Sequence, residues 1–157
     1  MTNHEHSTKP EHPACVVVAD DNDDLRRVLA MALDTAGFEV LQARTQLELQ
    51  RVLTDVRPDA LVLDLQRSEA DGLPLLTRLR ARQSLRDVPI VFLAGSADDS
   101  LRQQALTIGA DWFGLRPLGM AELQSRVAEL LRAGRAAGRG VHEVARTTGA
   151  VALKPTG

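Results

Sequence analysis

Three aspartates stand where side chains can do chemistry. Asp20 and Asp21 follow directly on the apolar run 15–19, and Asp64 stands near the end of the apolar run 61–65. If two such runs lie side by side, their carboxylates meet, and like charges held close repel. A hard divalent cation with oxygen ligands neutralises such a set, and Mg²⁺ is the one its size and availability favour. The competing reading is that Asp20 and Asp21, with Asn22 and Asp23, cap the helix that follows. An acidic pair alone favours capping. A third aspartate at the end of a separate apolar run favours a metal site.

The elements that must position these residues alternate along the chain. Apolar runs at 15–19, 40–43, 61–65, 90–94 and 112–115 are apolar at consecutive positions, the mark of strands covered on both faces. Amphipathic segments separate them. Leu25, Val28, Leu29, Ala32 and Leu33 form the first stripe, closed by Gly37. Thr45 and Glu48 form a capping box for the second, which Pro58 stops. Leu75, Leu76 and Leu79 mark the third, and Leu101, Ala105 and Ile108 the fourth. Leu123, Val127, Leu130 and Leu131 mark the fifth, which is expected to end near Gly134. This βα alternation predicts an α/β fold with a parallel sheet, helices on both faces, and a site at the carboxyl ends of the strands.

Length and composition agree. A chain of 157 residues fits one domain, and 44% apolar with 25% charged residues is the balance of a soluble globule. Cys15 is the only cysteine, so no intrachain disulfide or multi-thiolate metal site exists. No apolar run approaches the roughly 18 residues of a membrane span. Residues 1–13 are polar and unlike a signal peptide, so the expected location is the cytoplasm. They read as a disordered arm whose His4, His6 and His12 are solvated rather than metal ligands. Five basic residues follow Leu131 (Arg132, Arg135, Arg139, Arg146 and Lys154) against one acid, Glu143. The chain's net charge of −2 therefore divides into an acidic body and a basic tail. An acidic body argues against direct nucleic-acid binding. Residues 134–157 read as a flexible basic extension, with a short helical turn at 141–145.

Several segments together resemble one known family. The run Val16-Val17-Val18-Ala19-Asp20-Asp21-Asn22 resembles the first strand of a response-regulator receiver domain. Pro58-Asp59-Ala60-Leu61-Val62-Leu63-Asp64-Leu65 resembles its phosphoacceptor strand, and Asp71-Gly72-Leu73 follows at the family's spacing. Val88-Pro89-Ile90-Val91-Phe92-Leu93 resembles its fourth strand. Gly109-Ala110-Asp111-Trp112-Phe113 and Arg116-Pro117-Leu118 resemble its fifth strand and following loop. The resemblance covers residues 14–133. It implies a flavodoxin-like (βα)5 domain with strand order 2-1-3-4-5. It further implies that Asp64 accepts a phosphoryl group from a histidine kinase or phosphotransfer protein. Mg²⁺ would be held by Asp20, Asp21, Asp64 and the backbone carbonyl of Gln66. The signal would pass to a downstream protein, or through a homodimer, at the face of the fourth helix, fifth strand and fifth helix. The chain is then expected to be a signalling module rather than an enzyme; no recognisable output domain is read in it, and no direct nucleic-acid or membrane contact is expected.

This sequence departs from the family's pattern at two switch positions. Ala94 stands where the family has Thr or Ser, and lacks the hydroxyl that bonds the phosphoryl group. Gly95 keeps the small residue beside it, and Ser96 is a weak substitute donor. Arg116 replaces the Lys before Pro, keeping the charge but changing its shape. Phe113 matches the aromatic switch position, where a core Phe would look the same. Arg67, Ser68 and Ala70 make the loop after Asp64 more polar than usual. Trp112 reads as a half-buried strand residue before it reads as a docking anchor. Ala94 and Arg116 favour the alternative of a phosphorylation-independent pseudo-receiver adapter. An aspartate-nucleophile phosphatase would separate its two aspartates by one residue. A flavin protein would carry a phosphate-cradling loop after the first strand, and neither feature is present.

Overall fold

The computed structural model describes residues 12–64, 69–95 and 98–137. Five strands, β1 Cys15–Asp20, β2 Glu39–Ala43, β3 Ala60–Asp64, β4 Ile90–Ala94 and β5 Trp112–Leu115, alternate with five helices. The helices are α1 Asp23–Thr35, α2 Gln46–Asp55, α3 Glu69–Ala81, α4 Asp99–Ile108 and α5 Met120–Ala137. All strand pairs are parallel, in the order β2-β1-β3-β4-β5.

The consecutive apolar runs have two faces to fill, because strand side chains alternate. Val17, Ala19, Leu61, Leu63, Ile90 and Phe92 pack with α2, α3 and α4 residues such as Leu49, Leu76 and Leu101. Val16, Val18, Val62, Val91 and Leu93 pack on the other face with Leu33 of α1 and Leu123 and Val127 of α5. Each fully buried Leu contributes roughly 1.5–3 kcal/mol of transfer free energy. With α1 and α5 on one face and the other helices opposite, the chain changes side between β1 and β3. Their carboxyl ends border the crevice that such a switch leaves.

Local signals hold the ends of the elements. Asn22 caps α1, its Oδ1 accepting the Leu25 N–H at 3.0 Å. Gly37 turns the chain out of α1 at φ +94°, a conformation costly for residues with a Cβ. Thr45 Oγ1 accepts the Glu48 N–H at 3.1 Å, as a capping box requires. Glu48, however, reaches past Thr45 to the Arg44 N–H, at 2.6 Å.

Three details differ from the sequence reading. Val28 is 46% exposed, while Arg26 is buried with Leu29, Ala30 and Leu33. The buried stripe of α1 therefore runs through position 26. Helix α5 continues past Gly134 to Ala137. A 3₁₀ turn, Gln83–Leu85, precedes β4. Leu65 and the expected turn at 141–145 lie outside the described residues.

At the amino ends of β4 and β5 an ion pair joins half-buried Arg80 of α3 to buried Asp111. Arg80 also donates to the carbonyls of Leu85, Val88 and Gly109, and Asp111 Oδ2 accepts the Ile90 N–H. One guanidinium thus ties α3, the 3₁₀ turn, β4 and the end of α4 together, far from the carboxyl edge.

Candidate functional site

Strand register brings the first two candidate residues together. Asp20 ends β1, Asp64 ends β3, and the two are direct partners across the parallel pair. Both are buried, with 0% and 1% of their surfaces exposed. Asp20 Oδ1 accepts the Asn22 N–H at 2.8 Å. Its Oδ2 is buried without a hydrogen-bond partner. Arg116, one residue past β5, places Nη1 2.6 Å from Asp64 Oδ1. Its backbone N–H donates to the Ala94 carbonyl at 2.8 Å, extending the β4–β5 pairing to the point where the side chain can reach Asp64. The Arg116–Pro117 peptide is cis.

The electrostatics follow from burial. Loss of water around Asp64 pushes its carboxyl up from 3.8 to about 7, with repulsion from Asp20 adding to the rise and Arg116 opposing it. Burial likewise raises Asp20, against the stabilising Asn22 N–H. Two buried carboxyls that resist ionisation fit a hard divalent cation in charge and donor type. Asp21 stands next to this pair, half-buried. Among the described residues no three His, Cys, Asp or Glu side chains gather closely enough to hold a metal ion. The structure pairs Asp20 with Asp64, and the Arg116 guanidinium reaches Asp64. Gln66, Arg67, Ser68 and Ser96 lie outside the described residues.

The two switch positions are also placed. Ala94 ends β4 and is fully buried, with only a methyl group to offer. Phe113 is half-buried and stacks on Phe92, ring centroids 5.8 Å apart. Trp112 is half-buried beneath Arg126 of α5, whose guanidinium lies 5.3 Å from the ring centre. Trp112, Leu115, Pro117 and Leu118 line a cleft of about 250 Å³ together with Arg102 of α4 and Glu122 of α5.

Sequence reasoning missed Arg26. It lies one turn into α1 and donates to the backbone carbonyl of Asp20 at 3.1 Å. The signal was its spacing: positions 26, 29, 30 and 33 share one helix face.

A doubly wound parallel sheet with buried, paired carboxylates at its switch point and a cation closing over one of them defines a receiver-type signalling module. The sequence matches the response regulator receiver domain over residues 16–128, and the chain belongs to that family. It is 39% identical over 117 residues to the transcriptional regulatory protein PrrA of Mycobacterium tuberculosis, covering 74% of this chain and 49% of that protein. It is 31% identical over 117 residues to the phosphate regulon transcriptional regulatory protein PhoB of Pseudomonas aeruginosa, covering 74% and 51%. The chain spans about half the length of the curated relatives it matches. The fold is shared with a CheY-like receiver domain protein of Methanospirillum hungatei, at a TM-score of 0.73 and 19% identity over 80% of this chain and 99% of that one. It is likewise shared with the signal receiver domain of a histidine kinase from Syntrophus aciditrophicus, at 0.70 and 26% over 80% and 96%.

Proposed function

We propose that this chain is a phosphorylatable receiver of the cytoplasm in which Asp64 accepts a phosphoryl group from a histidine kinase or phosphotransfer protein. The observation that carries the reading is the register pairing of Asp20 with Asp64, closed by Arg116 at 2.6 Å. The Asp64 carboxylate attacks phosphorus, the P–N bond to the donor imidazole breaks, and an acyl phosphate forms on Asp64. The imidazole leaves with the bonding electron pair. Burial disfavours the ionised nucleophile, and Arg116 beside it restores part of that loss. The same guanidinium is placed to follow the charge onto the phosphoryl oxygens. Asp20, Asp21, Asp64 and the Gln66 carbonyl are the groups that would hold Mg²⁺, which when bound neutralises transferring phosphoryl oxygens.

The new charge at the strand ends then biases the neighbouring loops and alters docking of a partner protein, or of a second copy, at the face of α4, β5 and α5. With Ala94 in place of a hydroxyl donor, coupling between phosphate and that face is weak. Intact mass after incubation with a small phosphodonor and Mg²⁺ tests the reading. One added phosphoryl group is expected, absent in Asp64→Asn and in the presence of a chelator. No gain in the folded parent would make the chain a phosphorylation-independent adapter.

A further inference from the structure

Burying a guanidinium is costly unless its donors find partners, and an arginine on a surface helix ordinarily keeps its head in water. Arg26 does not, and only 5% of the residue is exposed. A surface partner is at hand, since its Nη1 lies 2.8 Å from the largely exposed Asp23 carboxylate. The head is nonetheless drawn inward. Nη1 also donates to the Asp20 carbonyl at 3.1 Å, and Nε to Gln42 Oε1 of β2 at 3.0 Å.

The Asp20 carbonyl oxygen belongs to the peptide that joins Asp20 to Asp21. That peptide is planar, so fixing its oxygen fixes the direction in which the chain enters Asp21. The rest of the segment is pinned in the same way. Asp20 Oδ1 accepts the Asn22 N–H, Asn22 Oδ1 accepts the Leu25 N–H, and the Asn22 carbonyl accepts the Arg26 N–H at 2.9 Å. Arg26 thus holds both ends of the Asp20–Asn22 turn, by its side chain and by its backbone.

We propose that Arg26 is a positioning residue for the acidic pair, locking the Asp20–Asp21 peptide so that both carboxylates face the Asp64 site. The role lies in geometry: the guanidinium grips a backbone carbonyl and a side-chain amide, while Arg116 is the cation on Asp64. This inference rests on the receiver reading above.

The test is Mg²⁺ affinity of the unphosphorylated full chain by titration calorimetry, with phosphodonor kinetics alongside. Arg26→Met fills the buried space and removes the donors. It is expected to weaken Mg²⁺ binding about tenfold, as loss of an orienting partner does. The Mg²⁺ concentration for half-maximal phosphorylation should rise in parallel. Arg26→Lys, which keeps one donor, should recover part of the affinity at equal melting temperature. A merely structural arginine would lower the melting temperature and leave the affinity of the folded fraction unchanged. Should Arg26→Met fail to fold, Arg26→Gln removes the reach to the Asp20 carbonyl while keeping a polar group at the site. A loss of Mg²⁺ affinity in that variant supports the role, and unchanged affinity overturns it. A parent that binds no Mg²⁺ overturns the receiver reading and this one together. A parent that binds beside variants of equal affinity overturns the positioning role alone.

Discussion

Arg116 and Asp64 lie 52 residues apart in sequence and meet at 2.6 Å at the carboxyl edge of the sheet. Asp64 is nonetheless harder to ionise than a free carboxylate, because burial and Asp20 outweigh the guanidinium. The pH dependence follows. Asp64 titrates near 3.8 when unfolded and near 7 when folded, so the folded state holds its proton more tightly. That contribution to stability is complete below about pH 4 and is lost as pH rises through 7. Asp64→Asn carries no such loss. Its melting temperature should gain on the parent between pH 4 and pH 8, by on the order of 10 °C. Scanning calorimetry at several pH values without added metal measures this, and a constant difference across the range would contradict it.

Ala94 determines how far phosphorylation is felt. Its carbonyl already anchors the Arg116 backbone, but its methyl group has nothing to give a phosphoryl oxygen. Ala94→Thr should enlarge the phosphorylation-dependent changes in amide chemical shift along β5 and α4 relative to the parent. Equal changes in the two proteins would show that the missing hydroxyl is not what limits coupling.

Gly114 lies beneath the Trp112 ring. A Cβ at this position would come within van der Waals overlap of two ring carbons and 3.0 Å from Leu93 Cδ2. Gly114→Ala should therefore cost about 1–3 kcal/mol through overpacking. Trp112→Leu in the same chain should recover part of it. Urea unfolding of the two single variants and the double variant measures the coupling, and strict additivity would argue against contact.

Asp111 anchors the opposite end of the sheet. Asp111→Ala takes the carboxylate from the half-buried Arg80 guanidinium and the acceptor from the buried Ile90 N–H. A loss of roughly 3–5 kcal/mol in unfolding free energy is expected. The extent of phosphoryl acceptance by the folded fraction should be unchanged at low temperature, because the damage lies away from Asp64. Lost acceptance in a fully folded sample would tie the two ends of the sheet together.

Much of this architecture was legible in the order of residues. Apolar runs and amphipathic stripes are local patterns, and each reports how an element meets the core. Asn22, Thr45, Gly37 and Pro58 mark helix ends through their own bonding and dihedral preferences, so they could be read singly. Asp20, Asp21 and Asp64 were visible as acids at the ends of apolar runs, and their register with the later Arg-Pro pair pointed to the family.

What the sequence could not decide depends on partners distant along the chain. The direct facing of Asp20 and Asp64 is a matter of strand register, set when β1 and β3 pack side by side. That the cation on Asp64 is Arg116 follows from the backbone bond between Arg116, just past β5, and Ala94. The rise of Asp64 to about 7 comes from the water that packing removes, and no linear spacing reports that. Arg26 marks the boundary between the two kinds of information. Its place on the buried face of α1 was written in helical spacing. Its grip on the Asp20 carbonyl arises only when α1 lies back against the sheet, because a buried guanidinium takes the acceptors that tertiary packing brings within reach.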